Sequence, residues 1–273
     1  MAHGDHETEL DRGHRAAPHP EPGEPLLKCE QLVIGYGGKD ILPPMDLVVR
    51  RRQFVAVVGR NGSGKSTWFK TLLGLIPPVS GRITLGAPHI RSAYVPQMSA
   101  IDSLLPVHAR ELTSWGRLSG WNFLRPFPSK ADRQKVEAAL DTAGARGIAK
   151  RPFRDLSGGE KQRALLARVI ATEADVVLLD EPTAAMDAVA EKQTMLRLCA
   201  LAHDRGLGVV VVSHDMSVAA EHADVILFVD REHRCFVMGD ARTVFCHPAF
   251  RRQYGDDYCH SAPQGPHRGN NPA

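Results

Sequence analysis

A chain of 273 residues, 43% hydrophobic and with a net charge of only +3, is long enough for one large α/β domain or two small ones. The weak positive balance gives no footprint for nucleic acid, and it is compatible with work against a membrane face. No apolar run approaches the roughly 18 residues a spanning helix needs, and the N-terminus has no apolar signal core. The five dispersed cysteines (Cys29, Cys199, Cys235, Cys246, Cys259) form no C-x-x-C pair, which makes reduced cytosolic thiols the default.

Residues 1–25 are His, Pro, Gly and acids with almost no apolar content, and they read as a disordered tail. A strand is expected over 26–34, a turn over 35–39, and a strand pair over 41–50 broken by Pro43 and Pro44. Residues 54–58 are a short Val-rich apolar run, the mark of a buried strand. Gly59, Arg60, Asn61, Gly62, Ser63, Gly64, Lys65, Ser66 and Thr67 follow and fit the P-loop pattern G-x-x-x-x-G-K-[ST]. A helix comes next, apolar at Phe69, Leu72 and Leu73 and stopped by Gly74, Pro77 and Pro78. Strand, glycine loop and helix therefore stand in the order a phosphate cradle needs. The glycines let N–H groups turn inward around phosphate oxygens, and the helix start adds unpaired donors. Lys65 is placed for the β- and γ-phosphates and Ser66 for Mg²⁺.

Short strands are expected over 81–86 and 91–95, the second leading into Pro96 and Gln97. A glutamine at a strand end can sense Mg²⁺ and water. Between about 98 and 171 the pattern turns helical, over 106–115 and, after a Ser129 cap, over 130–143. Residues 116–128, rich in Trp, Phe and Pro, read as a surface loop. Ser157, Gly158, Gly159 and Glu160 then open an amphipathic helix with a capping box. That start is a second place in the chain suited to a phosphate, as if a nucleotide were clasped from two sides.

The apolar strand 175–179 ends in Asp180 and Glu181, where a parallel sheet presents ligands. Asp180 can hold Mg²⁺ through water, and Glu181 is placed to polarise an attacking water. A helix over 188–205 and a strand over 209–212 follow. Ser213, His214 and Asp215 come after that strand, and His214 can bridge water, γ-phosphate and Glu181. A helix over 216–223 and a hairpin of 225–230 with 235–239 close the ordered region. Residues from about 255 to 273 resemble the N-terminal tail.

With these stations in order, the chain resembles the ATP-binding subunits of ABC transporters over about residues 26–250. Residues 156–160 look like the LSGGQ signature with Glu in its last place. Ala184, Ala185, Met186 and Asp187 look like the D-loop, with Ala for the usual Ser or Gly and Met for the usual Leu. Gln97 matches the Q-loop, His214 the switch histidine, and Tyr36 the aromatic that stacks on adenine. The resemblance implies an α/β fold: a P-loop NTPase RecA-like core with an antiparallel β subdomain and an α-helical signature subdomain. The domain would span 26–254, with the helical part at about 98–171. The resemblance also implies a head-to-tail homodimer that binds ATP and Mg²⁺ between one P-loop and the other chain's Ser157, Gly158 and Gly159.

Residues 94–97 with Asp102, Pro106 and Arg117 are similar to the metal-ion branch, whose members import zinc, manganese or iron. That branch implies an integral-membrane permease, an extracytoplasmic metal-binding protein, no nucleic acid, and a peripheral place on the cytoplasmic face of the inner membrane. Siderophore or haem uptake, export, and a soluble ABC ATPase are the alternatives; the last usually fuses two cassettes or inserts a coiled coil, and this chain shows neither. The histidines of both ends, with Cys246-His247 and Cys259-His260, fit no closed zinc site. They read as solvated tails ahead of a weak soft-metal sensor.

Overall fold

The structure is a computed structural model that describes residues 23–97, 106–118, 128–183, 186, 188–213 and 215–262. Residues 1–22 and 263–273 of the expected tails 1–25 and 255–273, with Asp102, Ala184, Ala185, Asp187 and His214, lie outside the described residues.

Three strands, β1 (Pro25–Val33), β4 (Met45–Arg50) and β6 (Ser80–Leu85), form an antiparallel sheet in the order β4-β1-β6. A small hairpin of β2 (Gly35–Tyr36) and β3 (Lys39–Asp40) turns at Gly37 and Gly38, both at positive φ. Only β4 forms in the region read as a strand pair. Residues 41–44 carry no strand, because Pro43 and Pro44 have no N–H to give a ladder.

The main sheet runs β11-β10-β5-β9-β8-β7. Its strands are β5 (Gln53–Val58), β7 (Ser92–Val95), β8 (Val176–Leu179), β9 (Gly208–Val212), β10 (Val225–Asp230) and β11 (Cys235–Gly239). Every pairing in it is parallel except β10 with β11. Period-two alternation splits the buried strands between two cores. Phe54, Ala56, Val58, Val177, Val209 and Phe228 face one core; Val55, Val57, Leu178, Val210 and Val229 face the other. The second core is closed by the antiparallel sheet and by Trp68 and Phe69 of α1 (Lys65–Leu72). Burial on both faces explains why the strands read as continuous apolar runs.

The first core is closed by helices. After α1 these are α2 (Ala109–Ser114), α3 (Lys130–Thr142), α4 (Gly158–Thr172), α5 (Ala188–Arg205) and α6 (Met216–His222). The Ser129 hydroxyl accepts from the Asp132 N–H, as the expected cap. The chain then adds helices the sequence reading did not place: α7 (Ala241–Phe245), α8 (Pro248–Tyr254) and α9 (Asp257–Ser261). The last falls in the expected C-terminal tail.

The expectation of uniformly reduced thiols is also corrected. Cys246, just after α7, and Cys259 in α9 form a disulfide. The polypeptide between them is folded into α8 and returns, which the wide spacing in sequence concealed. Cys29, Cys199 and Cys235 are free thiols.

Candidate active site

The parallel strands β5, β8 and β7 all end on one side of the sheet, and each ends in chemistry. After β5 the loop runs through Gly59, Gly62 and Gly64, all at positive φ. A Cβ on Gly59 would stand 2.4 Å from the Val229 carbonyl oxygen and 2.7 Å from Ser63 Oγ. Only glycine lets the chain leave the sheet there. Gly64, at φ 107°, is the N-cap of α1 and aims the helix start at the loop.

Inside this loop Lys65 is 4% exposed. Its Nζ donates to the carbonyls of Gly59 at 2.7 Å and Arg60 at 2.9 Å. Burial holds its pKa below the usual lysine range, and the nearby Glu181 and Asp180 carboxylates oppose that shift. Ser63 is also buried, and its hydroxyl finds no hydrogen-bond partner among the described residues. Such an orphan signals a missing acceptor or donor, since buried hydroxyls are normally satisfied.

At the end of β8, Asp180 is 8% exposed. The Tyr94 hydroxyl on β7 donates to it at 3.4 Å. Burial first, then the neighbouring Glu181, raises the Asp180 pKa above the usual carboxylate range. Burial beside Asp180 likewise pushes the Tyr94 phenol up to about 12, which keeps it a donor. Glu181 follows in the left-handed region, φ 48°, and its Oε2 accepts from Gln97 Nε2 at 2.6 Å. The ends of β7 and β8 are thus joined through one carboxylate.

Lys65, Ser66, Thr67, Gln97 and Glu181 line a single cavity of about 390 Å³, with Asn61, Gly62, Gly64, Ile41 and Arg231. Arg60, Asn61, Gly62 and Ser63 line a neighbouring cavity of about 710 Å³, walled by Asp230, Arg231 and Tyr254. Tyr36 is half exposed, and its hydroxyl meets Thr67 Oγ1 at 3.1 Å. Ser157, Gly158 and Gly159 line neither cavity. They open α4, where the Ser157 hydroxyl accepts from the Glu160 N–H and Glu160 Oε2 accepts from the Ser157 N–H at 2.9 Å. The capping box forms as its spacing predicts.

Four contributors escape a sequence reading. Ile41 and Arg231 reach the cavity from connections with no motif, and Tyr258 joins Glu181 and Asp215 in a further cavity of about 500 Å³. Tyr94 alone carried a signal, as a polar-tipped residue on the strand that delivers Gln97.

The donor set fits a nucleotide triphosphate and Mg²⁺. Loop N–H groups, the Lys65 ammonium and the orphan Ser63 hydroxyl suit phosphate oxygens; the exposed Ser66 hydroxyl, Gln97 and the Asp180 carboxylate suit a hard cation.

Comparison with known proteins agrees with this geometry. Residues 42–184 match the family model described as ABC transporter. The manganese transport system ATP-binding protein MntB of Bacillus subtilis is 34% identical over 84% of this chain and 92% of its own. The zinc import ATP-binding protein ZnuC of Cereibacter sphaeroides is 34% identical over 84% of this chain and 88% of its own. Among solved structures, an inward-facing conformation assigned to the metal-chelate type of ABC transporter is 29% identical. It superposes with a TM-score of 0.72 over 81% of this chain and 85% of that one.

The raised pKa of Asp180 has a consequence for nucleotide- and Mg²⁺-free protein. The fold favours the protonated carboxyl, so the stability it confers is complete at low pH and is lost as the pH climbs through the raised value. Asp180→Asn is expected to be more stable than wild type at neutral pH by about 0.5–2 kcal/mol. The gain should vanish in acid. Thermal denaturation across pH reads both effects, and a variant that melts lower at neutral pH contradicts the assignment.

Proposed function

Because the chain belongs to the family of ABC transporter ATP-binding subunits and is an ATPase, we propose that it energises import of a divalent metal ion such as zinc or manganese. The observation that carries the catalytic half of the reading is the Glu181–Gln97 contact on the rim of the Lys65 cavity. A carboxylate and an amide beside the Lys65 loop support that reading. The cargo rests on the relatives that span nearly the whole chain and are named for manganese and zinc.

The Gly59–Thr67 loop holds the triphosphate through backbone N–H groups and Lys65, and Tyr36 faces the adenine. Ser66, Gln97 and Asp180 hold Mg²⁺, which supplies charge neutralisation on the phosphates when bound. Glu181 orients and polarises the water that attacks the γ-phosphate. His214 lies outside the described residues, as does Asp187. His214 is proposed to bridge that water and the γ-phosphate, and Asp187 to meet the partner protomer.

Two protomers pair head to tail, with Ser157, Gly158 and Gly159 of each covering the other's P-loop. The absence of these residues from both cavities of their own chain supports that arrangement. ATP then favours the closed dimer because it touches both chains only there. Loss of the γ-phosphate removes the preference. No helix among the described residues is long and apolar enough to cross a membrane. The relatives named as ATP-binding proteins of a manganese transport system and of zinc import support a subunit that works through a permease, peripherally on the cytoplasmic face of the inner membrane, with an extracytoplasmic binding protein delivering the metal.

Glu181→Gln is expected to bind ATP and dimerise while turnover falls by about 10²-fold or more. ATPase assays and size-exclusion chromatography with ATP check this, and near-normal turnover would remove Glu181 from the chemistry. A mixture of Lys65→Ala and Ser157→Arg protomers tests the shared site. Each variant alone should be inactive, whereas mixed dimers contain one intact pocket and should recover activity; no recovery means the signature acts in its own chain. For the cargo, the subunit with its permease in liposomes should hydrolyse ATP faster when binding protein loaded with Zn²⁺ or Mn²⁺ is supplied. Stimulation by a ferric siderophore instead would reassign the substrate.

A further inference from the structure

The bridge between Cys246 and Cys259 joins an anchored element to one with little hold of its own. On one side, Val244, Phe245, Ala249 and Phe250 of α7 and α8 are fully buried in the helical core. On the other, α9 is five residues long and has no buried residue. Helices that short do not persist on propensity. Among the described residues, what holds α9 apart from the bridge is Tyr258, whose ring meets those of Phe245, Phe250 and Tyr254 at 5.9, 6.0 and 6.4 Å, with Ala262 just beyond it packed on the same core. The Arg251–Asp256 ion pair at the α8–α9 turn is exposed and contributes little.

Tyr258 is also a wall residue of the cavity that contains Glu181 and Asp215. Whatever releases α9 therefore takes one wall from the cavity that Glu181 shares. Neither bridged cysteine is fully buried. The remaining thiols do not compete. Burial pushes Cys29 up to about 12 and Cys199 up to about 11, and it raises Cys235. Protonated thiols are poor attackers of a disulfide.

We infer that Cys246–Cys259 is a reversible thiol–disulfide site, opened by a dithiol reductant, that sets whether Tyr258 walls the cavity it shares with Glu181. The dithiol supplies two electrons and two protons; the S–S bond breaks to two thiols and the donor closes to its own disulfide. In the oxidised form α9 is strapped to α7 and Tyr258 completes the cavity wall. In the reduced form the strap is released, the cavity beside Glu181 loses that wall, and turnover falls. The catalytic consequence rests on the ATPase role given to Glu181.

The test compares full-length oxidised protein with protein reduced by dithiothreitol. Alkylation and mass spectrometry should find three reactive thiols when the protein is oxidised and unfolded, and five after reduction. Amide hydrogen exchange over 257–261 should accelerate on reduction, and ATP turnover should drop several-fold. Cys246→Ser and Cys259→Ser should each match the reduced form whatever the redox state. Five reactive thiols before reduction, or equal exchange in the two forms, overturns the site. Faster exchange with unchanged turnover overturns its control of Glu181. Hydrogen exchange needs no catalysis, so a protein that gains exchange on reduction but splits no ATP in either form fails the ATPase reading and keeps the strap.

Discussion

A parallel sheet covered on both faces has one outlet for polar chemistry, the ends of its strands. Here β5, β8 and β9 are buried against two separate cores, with alternate side chains committed to each. No position along them is free to carry a charge. The Gly-rich loop, Asp180 with Glu181, and Ser213 with Asp215 all follow the last residue of a strand. The two cavities along that edge, which have Glu181 in common, are a result of that confinement, and the crossings between neighbouring parallel strands bring distant sequence to one rim.

The rim holds groups that the fold alone would not choose. Lys65 is buried with its ammonium on two loop carbonyls, Asp180 is buried next to another carboxylate, and the Ser63 hydroxyl has no partner among the described residues. Each is a cost to stability that a polyanion with a hard cation would offset. The antiparallel layer and α1 supply the counterweight, through Trp68, Phe69 and the apolar face of β1.

Much of this was open to reading from residue order, because the informative segments are local. A Val-rich run followed by glycines and Lys65, the capping box at Ser157, and acids at the end of β8 each need only a few consecutive positions. The misreadings fall where local order is a poor guide. Residues 41–44 are apolar enough to suggest a strand, yet Pro43 and Pro44 cannot join a ladder. The helix α9 lies in a His- and Pro-rich end and depends on a cross-link and on one tyrosine, neither of which has a periodic signature. Arg231 and Ile41 reach the cavity only through tertiary folding. Tyr94 was within reach, because its strand leads into Gln97.

Glu181 combines two demands that pull in opposite directions. Its backbone sits in the region that Gly, Asn and Asp adopt most readily, at a cost to glutamate of about 1 kcal/mol. Its side chain must nevertheless span the gap to Gln97 on the adjoining strand end. The residues comfortable with that backbone are all too short for that reach, and a β-branched residue is excluded outright. Very few amino acids can occupy the turn and still make the contact, so the position is narrowed by stereochemistry even before any reaction is considered.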